Sequence, residues 1–392
     1  VSHPARVAVV LLAIVSVAAD LDRQAALVRA EEPGAAGPTA SGWFDAWRRH
    51  REALTWTDEA VRHDWRLQRR EGTAAVSASG GSPAAACRLL DPRDGVIREG
   101  TAEECQAALE ALTREGTVPL VRGHTVIVLH GLGEGRDSMR PLVDYLRQAI
   151  EANVLLFGYA SVKADIDTHG ASLGRVIAGL PEADTISFVG HSLGNIIVRR
   201  WMALAAADDL ARTGRMVMLG PPNQGSELAR LAAQVRWLAD TADGAARDLV
   251  CDWPRVESRL VVPPCPFGIV AGGKGDGEGF SRLLTGDDDA VVRVEETRLP
   301  GASDFLLLPV HHALMMKHPE VQRATAAFLT DGWFPRAANG AAADGAAADG
   351  AAADGAAADG AAAESEDAAD DAAASRAEDG ATDAARAAGV AP

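Results

Sequence analysis

The chain has 392 residues, and 47% of them are hydrophobic, which is about two to three times the usual length of one domain. Its formal net charge is −17, of which residues 337–392 carry −10, so residues 1–336 carry only −7 and have ample sequence for a sizeable core. That mild acidity, without a basic stripe, argues against a general nucleic-acid binder, and no run of 18 apolar residues is present for an ordinary transmembrane helix.

The amino terminus has the layout of an address. Arg6 precedes the apolar run Val7–Ala19, and the small residues Val17-Ala18-Ala19 come before Asp20. That order is the order of a secretory signal peptide; an uncleaved membrane anchor and a buried helix of the folded body are the alternatives. The polar, Pro- and Gly-containing stretch Glu31–Gly42 sets the run apart, so 1–19 reads as signal peptide or anchor and 20–42 as a linker. An exported protein is expected: secreted, periplasmic or membrane-anchored.

Trp43, Trp47, Leu54, Val61 and Trp65 recur at near-helical spacing, which predicts a helical region over 43–70. Gly72–Ala86 reads as a loop. Thr101 followed by Glu104 has the pattern of a capping box and opens a predicted helix Thr101–Leu112. Residues 43–115 are thus expected to be a helical extension of the main domain, 116–336. The four cysteines suit export, and their sequence neighbours suggest Cys87–Cys105 and Cys251–Cys265. Each such disulfide would contribute roughly 3 kcal/mol in the chain-entropy view, although spacing alone does not choose among the three pairings.

From residue 120 short apolar runs alternate with amphipathic stretches. Strands are predicted at Thr125–Leu129, Asn153–Tyr159, Thr185–Val189, Met216–Leu219, Phe267–Ala271 and Phe305–Pro309. Helices are predicted at Met139–Ala152, Asp167–Gly179 and Asn195–Ala206. Strands apolar on both faces, alternating with helices, imply an α/β fold with a mostly parallel sheet covered on both sides. Glu227–Leu249 is a candidate cap over the site, with Leu228, Leu231, Val235 and Leu238 on one helical face. Beyond Arg336, Gly-Ala-Ala-Ala-Asp occurs four times from Gly340, and a glycine every fifth residue breaks any helical face. Residues 337–392 read as a disordered acidic tail.

Two segments match GxSxG, where chance alone expects roughly 0.2 in a chain of this composition. The pattern has chemical meaning only between a strand and a helix, where a strained turn lifts the serine hydroxyl out of the sheet edge. Gly170-Ala171-Ser172-Leu173-Gly174 follows a polar stretch and sits within a helical one. Gly190-His191-Ser192-Leu193-Gly194 follows Thr185–Val189 and precedes a helix, with Gly190 and Gly194 allowing close backbone approach. Ser192 is therefore the candidate nucleophile.

On this motif, the chain over about 120–330 resembles the α/β-hydrolase superfamily, in its lipase and esterase branch. A second motif strengthens the resemblance: Val126–Leu129 runs into His130-Gly131-Leu132-Gly133, like the lipase strand ending in His-Gly. The resemblance implies an oxyanion hole from the backbone N–H groups of Leu132 and Leu193. Gly220–Ser226 matches a Pro- and Gly-rich turn that shapes the rim in many lipases. The superfamily order is Ser, acid, His, which leaves His311, His312 and His318 for the base. His312, just before the apolar Ala313–Met316, is chosen, with His311 its rival. The acid is expected in Gly286–Val292, which resembles an Asp-Gly-x-Val turn with Ala290 in place of glycine. Asp289 is the choice on that match and Asp288 its rival; Asp276 and Glu278 are weaker.

The implied activity is hydrolysis of a small-molecule or lipid carboxylic ester through an acyl-enzyme, with no cofactor and no metal. The same atoms would serve a thioesterase or an acyltransferase, and a non-catalytic, envelope-associated binding protein is the other class. Association with a membrane surface fits a lipid substrate; the oligomeric state is left open.

Overall fold

The computed structural model describes residues 54–71, 86–234 and 242–335. The address segment, the linker, Trp43, Trp47, Val235, Leu238 and the acidic tail lie outside the described residues. The first described segment departs from the helical expectation. It is a four-stranded antiparallel sheet, ordered β1 (Trp56–Arg62), β2 (Trp65–Arg70), β3 (Cys87–Leu90) and β4 (Val96–Gly100). The reason is the hairpin turn at His63-Asp64. Arg62 pairs with Trp65 and Val61 with Arg66 across it, so residues three and five apart in sequence meet, close to the spacing of a helical turn. His63 takes φ 55°, the positive region that tight hairpin turns require. The helix Ala102–Arg114 does follow, with both halves of the Thr101/Glu104 capping box formed.

Cys87 and Cys105 belong to the small core beneath this sheet, with Leu67, Leu89 and Leu109. All four cysteines are free thiols, so neither expected disulfide is formed. Burial pushes the Cys87 thiol up to about 11 and the Cys265 thiol up to about 12, which makes both poor nucleophiles.

The remaining strands are β5 (His124–Leu129), β6 (Asn153–Phe157), β7 (Thr185–His191), β8 (Thr213–Leu219), β9 (Phe267–Gly272) and β10 (Asp304–Leu308). They form one sheet in the order β10-β9-β8-β7-β5-β6, parallel at every neighbour. Both faces are buried, and β5 shows why its run is unbroken. Ile127 and Leu129 enter one core, against the helices Ile166–Ala178 and Leu193–Leu204. Val126 and Val128 enter the other, against Arg140–Ala149 and Pro319–Asp331. The described residues of the candidate cap include the helices Glu227–Ala233 and Gly244–Cys251. No helix among the described residues is long and apolar enough to cross a membrane.

β1 docks on the end of β6. Asp58 N–H donates to the Gly158 carbonyl (2.9 Å), and the Asp58 carboxylate accepts from Gly158 N–H (2.7 Å) and Gln68 Nε2 (2.7 Å). Ala160 N–H donates to Thr57 Oγ1 at 3.1 Å. Burial raises the Asp58 carboxyl above its usual range, opposed by the charges of Arg66 and Arg136. Asp58→Ala is expected to cost about 3 kcal/mol, because Gly158 N–H and Gln68 Nε2 lose their buried charged acceptor. A urea-unfolding midpoint reads that loss; a midpoint equal to wild type would refute it.

Candidate active site

The segment Thr185–Val189 becomes β7 because it is apolar and β-branched, and the chain reverses into a helix within one residue. Ser192 is that residue, at φ 50° and ψ −118°. A non-glycine residue there stores about 1–3 kcal/mol and persists only when its surroundings hold it. Ser192 N–H donates to the Leu219 carbonyl at 2.9 Å, and the Ser192 carbonyl accepts from Asn195 N–H and Asn195 Nδ2, both at 3.1 Å. The flanking glycines are steric requirements. A Cβ at Gly190 would stand 2.7 Å from Asn195 N, and one at Gly194 would stand 2.9 Å from the carbonyl oxygens of Leu129 and His130. The rejected match lies elsewhere: Ser172 is buried inside the helix Ile166–Ala178, with its hydroxyl on Glu59.

The loops after β9 and β10 bring an acid and an imidazole together. His312 Nδ1 lies 2.6 Å from Asp289 Oδ2, and His312 N–H donates to the Asp289 carbonyl at 2.9 Å. The other Asp289 oxygen accepts from Val291 N–H (3.0 Å) and Val292 N–H (2.7 Å), so the carboxylate is fully buried and aimed. Burial pushes the His312 imidazolium down, but the Asp289 charge and hydrogen bond outweigh it, and its pKa lies above the usual histidine value.

The rivals have other contacts. Asp288 accepts from Ser281 and Ala290 N–H. His311 is exposed and packs on the Phe280 ring at 4.0 Å. Asp276 accepts from Glu278 and Gly279 N–H within its own loop, and His318 directly precedes the helix Pro319–Asp331.

Ser192 and His312 flank the end of β8. Ser192 is bonded to Leu219, and a Cβ on the next residue, Gly220, would stand 2.9 Å from His312 Nδ1. Among the described residues the Ser192 hydroxyl makes no hydrogen bond; in substrate-free sites such bonds commonly form only with the substrate in place.

The loop after β5 is pinned at every residue but one. His130 is fully buried, its Nδ1 donating to the Gly131 carbonyl (2.9 Å) and its Nε2 accepting from Tyr159 N–H (3.3 Å). Burial lowers its pKa to about 4, so this neutral tautomer is fixed. Tyr159 stacks on the ring at 4.1 Å and donates its hydroxyl to the His130 carbonyl. Gly131 N–H donates to Glu134 Oε2 (3.0 Å) and Gly133 N–H to Ser161 Oγ (3.0 Å). Among the described residues none accepts from Leu132 N–H, and Leu193 N–H, at the start of its helix, has no partner within it. Position 131 also stands against the elbow, since a Cβ there would be 3.3 Å from Ser192 Cβ. Glu134, Asn195, Tyr159 and Ser161 carry none of these tasks in a motif, and nothing in their own neighbourhoods marks them.

Among the described residues, no group of three or more His, Cys, Asp or Glu side chains is placed to hold a metal ion. Ala290 adopts φ 83°, which explains the glycine usual at that turn. Ala290→Gly is expected to stabilise by at most about 1 kcal/mol, strain relief exceeding the added unfolded-state entropy. A lower thermal midpoint would contradict this.

Comparison with protein-family models finds no match, and no curated protein matches in sequence. Solved structures do resemble the chain. The mature lipase BlEst2 of Bacillus licheniformis is 20% identical over 54% of this chain and 94% of its own, with a TM-score of 0.43. The phospholipase PlaB of Legionella pneumophila is 18% identical over 54% of this chain and 59% of its own, at 0.41. The metagenomic carboxyl esterase MGS0156 is 19% identical over 56% and 74%, at 0.36. A parallel sheet covered by helices on both faces, whose strand order reverses beside the strand that carries a serine elbow, gives this chain an α/β-hydrolase fold.

Proposed function

We propose that the protein is a serine hydrolase of carboxylic esters. The observation that carries this is the 2.6 Å contact between His312 Nδ1 and Asp289, at the sheet end where Ser192 is held in its strained turn. Ser192 Oγ attacks the acyl carbonyl while His312 Nε2 takes its proton. Asp289 occupies Nδ1, which fixes the tautomer that leaves Nε2 free to accept and stabilises the imidazolium that follows. The N–H groups of Leu132 and Leu193 receive the developing oxyanion, a contribution worth about 3 kcal/mol for each donor. His312 then protonates the leaving alcohol, and water attacks the acyl-enzyme by the same route.

A fluorophosphonate probe is expected to label Ser192, and Ser192→Ala to abolish both labelling and hydrolysis of a nitrophenyl ester. A wild-type protein that neither labels nor hydrolyses esters of any chain length would end this reading. Acyl-transfer products in added alcohol would assign the same atoms to a transferase. Asp289→Asn is expected to lower kcat about 10⁴-fold.

His312 must be neutral to act, and its pKa lies above the usual histidine value. kcat/KM therefore falls as the pH is lowered through an apparent pKa above about 6.5. In Asp289→Asn that limb moves to lower pH, because the charge that raised it is gone.

A further inference from the structure

His191 occupies the second place of the elbow, and its ring is fully buried. Its Nδ1 lies 3.3 Å from Glu134 Oε2, and its Nε2 lies 3.1 Å from the carbonyl oxygen of His312. The His191 and His312 rings are 4.6 Å apart. The same Glu134 oxygen accepts from Gly131 N–H (3.0 Å) and from the Ser138 hydroxyl (2.8 Å). One bridge thus joins the loop after β5, the elbow after β7 and the loop after β10. We infer that Glu134 and His191 form a positioning bridge that holds the oxyanion loop and the His312 loop in register with Ser192. The inference rests on the hydrolase reading above.

Three loops from three strands must agree to a fraction of an ångström for attack and oxyanion capture to coincide. None of the three segments is tied to another here by a strand ladder, so side chains help to set their spacing. An apolar pair would fill the same space without the desolvation that a largely buried carboxylate costs. Here the polar atoms instead face groups on the segments that carry the reaction. Glu134 and His130 face His191 from the β5 side, and His312, backed by Asp289, faces it from the β10 side. Burial alone would raise the Glu134 carboxyl, but His191 and the Gly131 N–H hold it well below the usual range. The carboxylate therefore stays ionised wherever His312 is active.

The test compares Glu134→Ala, Glu134→Gln and His191→Gln with wild type, by kcat and KM on a nitrophenyl ester and by the rate of fluorophosphonate labelling. Glu134→Ala is expected to lower kcat about 10- to 100-fold, with labelling slowed in parallel, as a misplaced site does. KM is expected to stay within about 2-fold, since ground-state binding is untouched. Glu134→Gln keeps an acceptor for Gly131 N–H and is expected to return kcat to within about 5-fold of wild type. His191→Gln is expected to show the same split as Glu134→Ala, and it decides the matter alone if Glu134→Ala does not fold. An active wild type alongside an unchanged kcat in either variant, or a loss confined to KM, would overturn the bridge and leave the hydrolase reading standing. A wild type that neither labels nor hydrolyses removes both.

Discussion

The site depends on one backbone conformation. Ser192 sits where a side-chain-bearing residue is disfavoured, and three hydrogen bonds and two glycines keep it there. The strain is tolerable because β7 and β8 are buried on both faces and cannot relax toward it. The same turn starts the helix Leu193–Leu204, so the strained residue stands directly at the partly positive N-terminus of a helix.

Support for the opposite wall of the site comes from outside the parallel sheet. The segment Gly158–Ser161 is gripped on one side by Thr57 and Asp58 of the small antiparallel sheet. On its other side it holds the strand end and loop that carry His130 and Gly133, through Tyr159 and Ser161. His130 contributes no proton chemistry in this arrangement; its low pKa keeps one nitrogen a donor and the other an acceptor. The His-Gly motif is in this sense a structural joint, and its neutrality is what makes the joint specific.

Much of this was legible in the sequence, for reasons tied to particular residues. Runs such as Val126–Leu129 announce strands buried on both faces, and Gly190 and Gly194 mark an approach too close for any Cβ. Capping chemistry placed the start of the helix at Ala102. The hairpin β1–β2 is hidden in the sequence because a tight turn brings residues three and five apart together, near the spacing of a helical turn. Asp288 and Asp289 are identical in type, and only the fold of the turn shows which carboxylate meets His312. Glu134 meets the His191 ring and Asn195 the Leu219 carbonyl, partners distant in sequence, so no local pattern announces either residue.

The docking of β1 on the end of β6 also bears on an exposed margin of the parallel sheet. β6 is a margin of the six-stranded sheet, and margins invite pairing with other chains. Asp58 offers the first residue beyond β6 both a backbone donor and a carboxylate, completing the bonds that a neighbouring molecule would otherwise make. The opposite margin, β10, has no such cover among the described residues. Without the small sheet, Gly158 would lose both bonds to Asp58, so that margin would open beside the very segment that steadies the loop after β5.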